Sequence, residues 1–149
     1  MSWGYSSIGI LMKQWKEKIQ MRHIEFEEQV KIFHWASLQK RKYPMLEFIY
    51  SSQAGEKLKN AIVASRAKRA GMRSGVPDIF LPFPKGGYHG LFIELKRPVR
   101  KGYAKPVVSE EQKRFLTYLN EVGYCAKVCY GAEQAIQLIQ LYAKGELNG

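Results

Sequence analysis

Cysteine is scarce in this chain, which has two in 149 residues, Cys125 and Cys129. Both lie in the run GYCAKVCY, whose β-branched and aromatic composition predicts a strand. Residues four apart on one strand are separated by about 13 Å, which is too far for a disulfide. The three histidines show no ligand spacing with the cysteines. These patterns argue against a disulfide framework and a zinc site, and they fit a reducing compartment.

Long hydrophobic runs are also missing, since no stretch approaches the ~20 apolar residues that a membrane-spanning helix requires. The segment MSWGYSSIGILMKQWKEK has no basic region ahead of its apolar part, and GILM is too short for a signal peptide. We therefore expect a soluble cytoplasmic protein without a membrane partner. A length of 149 residues is that of one ordinary domain, so we expect a single domain over residues 1–149.

Acidic residues are outnumbered, with 13 Asp and Glu against 24 Lys and Arg. The resulting net charge of +11 favours contact with a polyanion, and nucleic acid is the leading partner. The alternatives are an incidental basic surface or attraction to an anionic membrane. No isolated polybasic tail or lipidation motif supports the membrane alternative.

Helical and strand periodicities alternate along the chain, which predicts an α/β or α+β domain. Helices are expected at about 10–41, 56–71, 109–123 and 132–145, and strands at 46–50, around Asp78 and Glu94, and at 124–130. The two strands around Asp78 and Glu94 are expected to form a hairpin-like pair, joined by FPKGGYHG. On the first helix, one stripe contains Phe26, Val30 and Phe33, and the adjacent stripe contains Glu25, Glu28 and Ile32.

Charged side chains occur on two strands that otherwise look apolar. In GLFIELK, the two-residue period of a strand puts Phe92, Glu94 and Lys96 on one face. Pairing with the strand of PDIFL would bring Asp78 beside Glu94. Two close carboxylates repel unless a cation intervenes, and hard oxygen ligands with open positions suit Mg²⁺ or Mn²⁺. The alternative is the solvated side of an amphipathic strand, which explains most isolated E-x-K patterns.

The order of these motifs is more informative than any one of them. A helix with carboxylates comes first, then GVPD, fifteen intervening residues, ELK and a helix that opens SEEQ. In this order the chain resembles the VRR-NUC (virus-type replication-repair nuclease) branch of the PD-(D/E)XK nucleases, especially its small stand-alone phage and prophage members. The resemblance covers about residues 24–143, which leaves residues 1–23 as an N-terminal helical extension. It implies an α/β, restriction-endonuclease-like core with a central mixed β-sheet flanked by helices.

The resemblance also implies an active site. Asp78 and Glu94 would be metal ligands for Mg²⁺ or Mn²⁺, and the carbonyl of Leu95 would complete the metal shell. Lys96 would position water or stabilise developing charge.

The family also has a glutamate on its first helix, and here Glu25, Glu27 and Glu28 compete for that role. Glu25 is preferred for its spacing to Gln29. The alternative for all three glutamates is a solvated acidic face near a helix start.

Gln112 has two interpretations that are compatible. Ser109 and Gln112 form the S-x-x-Q pattern of a capping box, in which each residue satisfies a main-chain amide of the other. The resemblance instead places Gln112 near the metal site, in contact with water or phosphate. A residue in the first turn of a helix could serve both purposes.

Basic residues precede the GVPD strand and follow the ELK strand. Those predicted to contact nucleic acid are Lys57, Lys59, Arg66, Arg69 and Arg73. Cations late in a helix also satisfy its terminal carbonyls, which is the alternative for Arg69. After Lys96, the segment KRPVRKGYAKP adds Arg97, Arg100, Lys101 and Lys105. Its Tyr103 is available for stacking on an unpaired base, although this segment also fits a solvated mobile loop.

Together these features predict a metal-dependent DNA endonuclease in a bacterial or phage-infected cell, selective for branched or four-way junction DNA. The resemblance and the apolar residues Trp3, Ile10, Leu11 and Trp15 predict a homodimer. Two other functions stay open: a non-catalytic basic nucleic-acid-binding module and an RNA-processing nuclease.

Overall fold

A computed structural model of the chain describes residues 5–52 and 60–147. Four helices, one 3₁₀ turn and four strands follow one another in these ranges. Their order is α1 (Tyr5–Gln39), a 3₁₀ turn (Pro44–Phe48), β1 (Tyr50–Ser51), α2 (Ala61–Arg69), β2 (Ile79–Leu81), β3 (Leu91–Lys96), α3 (Glu110–Glu121), β4 (Cys125–Tyr130) and α4 (Ala132–Lys144).

The strands form one mixed sheet in the order β1-β2-β3-β4. β2 pairs antiparallel with β1 and with β3, whereas β3 and β4 are parallel. The parallel pair needs a crossover connection, and α3 supplies it. The structure therefore confirms the predicted α/β fold with a central mixed sheet flanked by helices, and it confirms that the strands after Asp78 and around Glu94 pair as a hairpin.

The hydrophobic core lies where α1 and α4 pack against each other and against the sheet. Its members are fully buried apolar side chains from both layers, among them Ile32, Ala36, Ile79, Leu81, Leu91, Ile93, Leu95, Cys125, Cys129, Ala135, Ile139 and Tyr142. The alternation of strand β3 turns Leu91, Ile93 and Leu95 to this core. Glu94 and Lys96 consequently point to the other face of the sheet.

One sequence-based expectation about local structure was wrong. The run LEFIY was predicted as a strand, but most of it belongs to the 3₁₀ turn Pro44–Phe48, and only Tyr50 enters β1. Pro44 stands at the start of this turn, where its fixed φ favours a helical conformation. On α1, the stripe of Phe26 and Val30 is exposed, and the adjacent stripe faces the core.

The N-terminal half of α1 extends away from the core. The helix begins at Tyr5, earlier than predicted, and Ile10, Leu11 and Trp15 are exposed. Trp3 lies outside the described residues. Over the described ranges, no helix is long and apolar enough to cross a membrane.

Candidate active site

The two predicted carboxylates meet on one face of the sheet. Asp78 directly precedes β2, and Glu94 lies in β3, where the antiparallel register pairs Ile79 with Ile93 and so brings the two acids side by side. Oδ2 of Asp78 accepts a hydrogen bond of 2.7 Å from the main-chain amide of Leu95. The two carboxyl groups are close enough for the charge of Asp78 to act on Glu94.

Glu94 is a buried acid with one unsatisfied oxygen. Its side chain is 1% exposed. Oε1 contacts the Lys96 ammonium and accepts a hydrogen bond from the Gln112 amide, but Oε2 is buried without any hydrogen-bond partner. No other buried side-chain polar atom in the described part of the chain is left without a partner. An unpaired buried polar atom is costly, so Oε2 is a position where a cation or proton would stabilise the protein.

Burial also changes the acidity of both groups. Desolvation first and the neighbouring charge of Asp78 second raise the pKa of Glu94 to about 7. Desolvation likewise raises the pKa of Asp78, although the hydrogen bond from Leu95 and the charge of Lys96 oppose the rise. At neutral pH this pair holds on to a proton or a cation more tightly than two exposed carboxylates would.

Lys96 lies against the same carboxylate. Its Nζ is 3.0 Å from Oε1 of Glu94 and 3.1 Å from Oε1 of Gln112, and the residue is 8% exposed. The ammonium therefore balances part of the negative charge of the acid pair. It has a fixed position at the end of β3, on the face that carries Glu94.

Gln112 forms the predicted capping box and also contacts the two charged residues of β3. Its main-chain amide donates to Oγ of Ser109, and its Oε1 accepts from the Ser109 amide at 2.8 Å, which completes a capping box at the start of α3. The same Oε1 accepts from Lys96, and Nε2 donates to Glu94. One side chain thus ties the first turn of α3 to the two charged residues of β3.

The structure separates the three glutamates of α1. Glu25 is half-buried, and its Oε1 accepts from the Arg97 amide at 3.4 Å, directly after Lys96. Its negative charge is close enough to raise the pKa of both Asp78 and Glu94. Glu25 therefore lies at the site, whereas Glu27 is exposed.

Glu28 has a different task, which the sequence did not reveal. Its Oε2 accepts a 2.6 Å hydrogen bond from the amide of Ala132 at the start of α4. Burial alone would raise the pKa of Glu28, but this hydrogen bond and the nearby Lys31 hold it below its ordinary value. Glu28 thus joins α1 to the N-terminus of α4, where a negative charge is favourable. The contact spans 104 residues of sequence, so no local pattern could have indicated it.

Three of the predicted basic residues lie on an exposed segment that precedes Asp78. Arg66, Arg69 and Arg73 are exposed, and α2 has no buried residue. Lys57 and Lys59 fall outside the described residues. Gly75, with φ of +87°, packs so closely on α3 that an added Cβ would lie 2.6 Å from the carbonyl carbon of Glu111. This contact brings the end of the basic segment to the helix turn that contains Gln112.

Sequence reasoning missed an aromatic pair beside the carboxylates. The rings of Phe80 and Phe92 stack with centroids 4.1 Å apart, and Tyr124 meets both of them edge-on. Phe80 lies two residues after Asp78 and Phe92 two residues before Glu94, so all four side chains share one face of the sheet. The same two-residue alternation could have indicated this. The rings form an apolar cluster on the face of the sheet that carries the acid pair.

The donor atoms at the site fit a hard divalent cation. Among the described residues no group of three or more His, Cys, Asp and Glu is arranged to hold a metal. The available donors are the two carboxylates, including the unpartnered Oε2 of Glu94. Such an all-oxygen set with few protein ligands suits Mg²⁺ or Mn²⁺, which keep open positions for water and phosphate.

Comparisons with known proteins give a consistent result. A family model described as the VRR-NUC domain matches residues 13–133. A solved structure described as a VRR_NUC domain protein is 32% identical, with a TM-score of 0.66, over 81% of this chain and 88% of that chain. Comparison with curated protein sequences gives no significant match.

Proposed function

This chain belongs to the VRR-NUC domain family, a nuclease family, and on that premise we propose that it is a metal-dependent endonuclease that hydrolyses phosphodiester bonds in DNA. The observation that carries the proposal is the pair formed by the half-buried Asp78 and the fully buried Glu94, with one unsatisfied carboxylate oxygen and the buried Lys96 ammonium beside it. A solvated strand face would not bury these charges.

Asp78, Glu94 and the carbonyl of Leu95 are the proposed ligands of Mg²⁺ or Mn²⁺. When bound there, the cation would acidify a water molecule and neutralise charge on the phosphate. The Leu95 amide holds one oxygen of Asp78, so the strand itself orients this ligand. Because both acids have a raised pKa, a cation would displace the proton that they hold in its absence.

Lys96 is the proposed residue that positions the attacking water or stabilises the charge that develops on the phosphate. Attack by water on phosphorus breaks the bond to the 3′ oxygen, which leaves a 5′ phosphate and a 3′ hydroxyl. Gln112 holds Lys96 and Glu94 through its two amide atoms and is a positioning residue. Glu25, whose Oε1 accepts from the Arg97 amide, is the proposed residue that holds a water molecule near the end of β3.

The proposed nucleic-acid contacts are cations at the approach to this site: Lys57, Lys59, Arg66, Arg69 and Arg73. The net charge of +11 supports binding through phosphates. The exposed positions of Arg66, Arg69 and Arg73 are compatible with that role.

Branched DNA is the proposed substrate, and a homodimer is the proposed form. Ile10, Leu11 and Trp15 are between 57% and 63% exposed on α1, which is apolar surface that a second copy could cover. A twofold dimer would present two sites to a symmetric junction. Light scattering at micromolar concentration is expected to give about twice the chain mass of 17.2 kDa. A species of one chain mass only would remove this part of the proposal.

The function is tested with labelled duplex, flap, splayed-arm and four-way junction DNA, each with Mg²⁺ and with EDTA. We expect metal-dependent cleavage with preference for the branched forms. A matching RNA substrate distinguishes a DNA nuclease from an RNA-processing one. Binding of all substrates without metal-dependent cleavage would instead indicate a non-catalytic binding module.

A further inference from the structure

One loop at the edge of the site contains none of the proposed metal ligands or catalytic side chains. We name residues 97–108 the rim loop, because both of its ends join the hydrogen-bond network of the site. It begins directly after Lys96, which contacts Glu94 and Gln112. It ends directly before Ser109, whose amide donates to the same Gln112. The rim loop therefore lies along the edge of the carboxylate site.

The rim loop is held in place by its own residues. Arg97 is 7% exposed, and its Nη2 donates a hydrogen bond to the carbonyl of Ala104, which closes the loop on itself. The Tyr103 amide donates to the Arg100 carbonyl at 3.2 Å in a turn. Farther along, the ammonium of Lys105 lies 4.9 Å from the centre of the Tyr130 ring. These contacts fix the backbone on both sides of Tyr103.

The outward side of the rim loop combines positive charge with apolar groups. Residues 97–108 contain four cations, Arg97, Arg100, Lys101 and Lys105, and no acidic residue. Tyr103 is 65% exposed, although its neighbour Ala104 accepts the hydrogen bond of a buried arginine. An exposed ring next to cations is the arrangement by which proteins bind single-stranded nucleic acid, since the ring stacks on a base and the cations contact phosphates. The base faces of an intact duplex are already stacked and cannot use such a ring.

We propose that Tyr103 stacks on an unpaired base next to the scissile phosphate, so that the rim loop selects DNA with unpaired nucleotides at the cleavage position. This inference rests on the proposed nuclease function, and it names the structural feature of the substrate that the same site recognises. Arg100 and Lys101 contact the phosphates that flank this base. The buried Arg97 holds the loop and does not touch DNA.

Stacking is tested by the fluorescence of 2-aminopurine placed as the first unpaired nucleotide of a splayed-arm DNA. The titration uses the full chain in EDTA, so that it does not depend on cleavage. We expect quenching by the wild-type protein and by Tyr103→Phe, which keeps the ring. Tyr103→Ala is expected to lose the quenching and to bind the splayed arm about 10-fold more weakly, as for the loss of one stacked base, with unchanged affinity for duplex DNA. Tyr118→Ala, which removes a ring that is 59% exposed on α3, is the matched control.

Quenching by Tyr103→Ala equal to that of the wild type would overturn the proposal, as would an equal loss of affinity for duplex and splayed-arm DNA. Loss of self-association with unchanged quenching would assign Tyr103 to a protein interface and would also overturn it. Wild-type protein that quenches 2-aminopurine but cleaves nothing with Mg²⁺ or Mn²⁺ would reject the nuclease function while supporting the stacking contact. The two proposals therefore fail on different measurements.

Discussion

Replacing Glu94 by glutamine is expected to make the metal-free protein more stable. The buried carboxylate of Glu94 has one oxygen without a partner and lies beside a second acid. A glutamine of the same shape keeps an oxygen that accepts from Lys96 and Gln112, and it carries no charge. The substitution removes a charge that the fold tolerates only at a cost, and it also removes a proposed metal ligand.

The size of the effect follows from the pKa of Glu94, about 7 in the folded protein against 4.5 ordinarily. At ~1.36 kcal/mol for each pKa unit, the ionised carboxylate destabilises the fold by about 3 kcal/mol above pH 7. Because the raised pKa lets the folded state bind the proton more tightly, stability falls as the pH rises from 4.5 to about 7. Glutamine does not ionise, so the variant escapes this loss. For a domain of this size the gain is roughly 6 to 12 °C in Tm.

The assay is thermal unfolding in EDTA at pH 8 and at pH 5, with Glu17→Gln as a control that removes the same charge from an exposed position of α1. The advantage of Glu94→Gln should shrink to below about 1 kcal/mol at pH 5. Adding Mn²⁺ at pH 8 should raise the Tm of the wild type and not that of the variant. A Glu94→Gln protein that is no more stable than the wild type at pH 8 would refute the reasoning.

Substitutions at three further positions, Gln112, Ser109 and Glu28, test other contacts of the structure. Gln112→Glu keeps an acceptor for the capping box but turns the donor to Glu94 into a second carboxylate, so unfolding at pH 8 should show a loss of about 1–3 kcal/mol and cleavage should fall. The control Ser109→Ala removes only the cap, so it should lower the free energy of unfolding by about 1 kcal/mol and leave cleavage unchanged. If Gln112→Glu matched the wild type in stability and cleavage, the role of Gln112 at the site would be contradicted. Glu28→Ala should lower the free energy of unfolding by about 1–3 kcal/mol, because it leaves the Ala132 amide unpaired. Glu28→Gln keeps an acceptor for this amide and should retain most of the stability. Equal losses in the two variants would show that the contact with the Ala132 amide does not stabilise the fold.

The strands that carry the site could be predicted from the sequence because their pattern is local. A two-residue period determines which side chains of β3 face the core, and the antiparallel pairing that brings Asp78 beside Glu94 follows from a short connection between two strands. What the sequence could not determine depends on contacts between residues that are distant in sequence. Which stripe of α1 is buried depends on α4, through a contact such as that of Glu28 with Ala132. Proline at the start of a short apolar run was enough to replace a strand by a 3₁₀ turn.

The three glutamates of α1 also show the difference between what a local pattern predicts and what depends on distant contacts. The sequence placed Glu25, Glu27 and Glu28 within one turn of helix but could not say which of them points to the sheet. The rotation of α1 against α4 decides this, since it buries Glu28 under the start of α4 and leaves Glu25 near the end of β3. For Gln112 the two sequence-based interpretations were compatible. Its Oε1 accepts hydrogen bonds from the Ser109 amide, which confirms the capping box, and from Nζ of Lys96, which puts the same residue beside the acid pair.

The most direct test of the central claim is the initial rate at which Asp78→Asn cleaves labelled branched DNA in Mg²⁺, with DNA binding measured on the same samples. Changes in the outer shell of a metal site cost about 10- to 100-fold, and loss of a ligand should cost at least as much. We predict that cleavage collapses while binding persists or tightens slightly, because phosphate affinity comes mainly from Lys and Arg. Lys96→Ala should lose cleavage in the same way and keep the Mn²⁺-induced rise in Tm. Cleavage by Asp78→Asn at the wild-type rate would contradict the assignment of this carboxylate pair as a nuclease site.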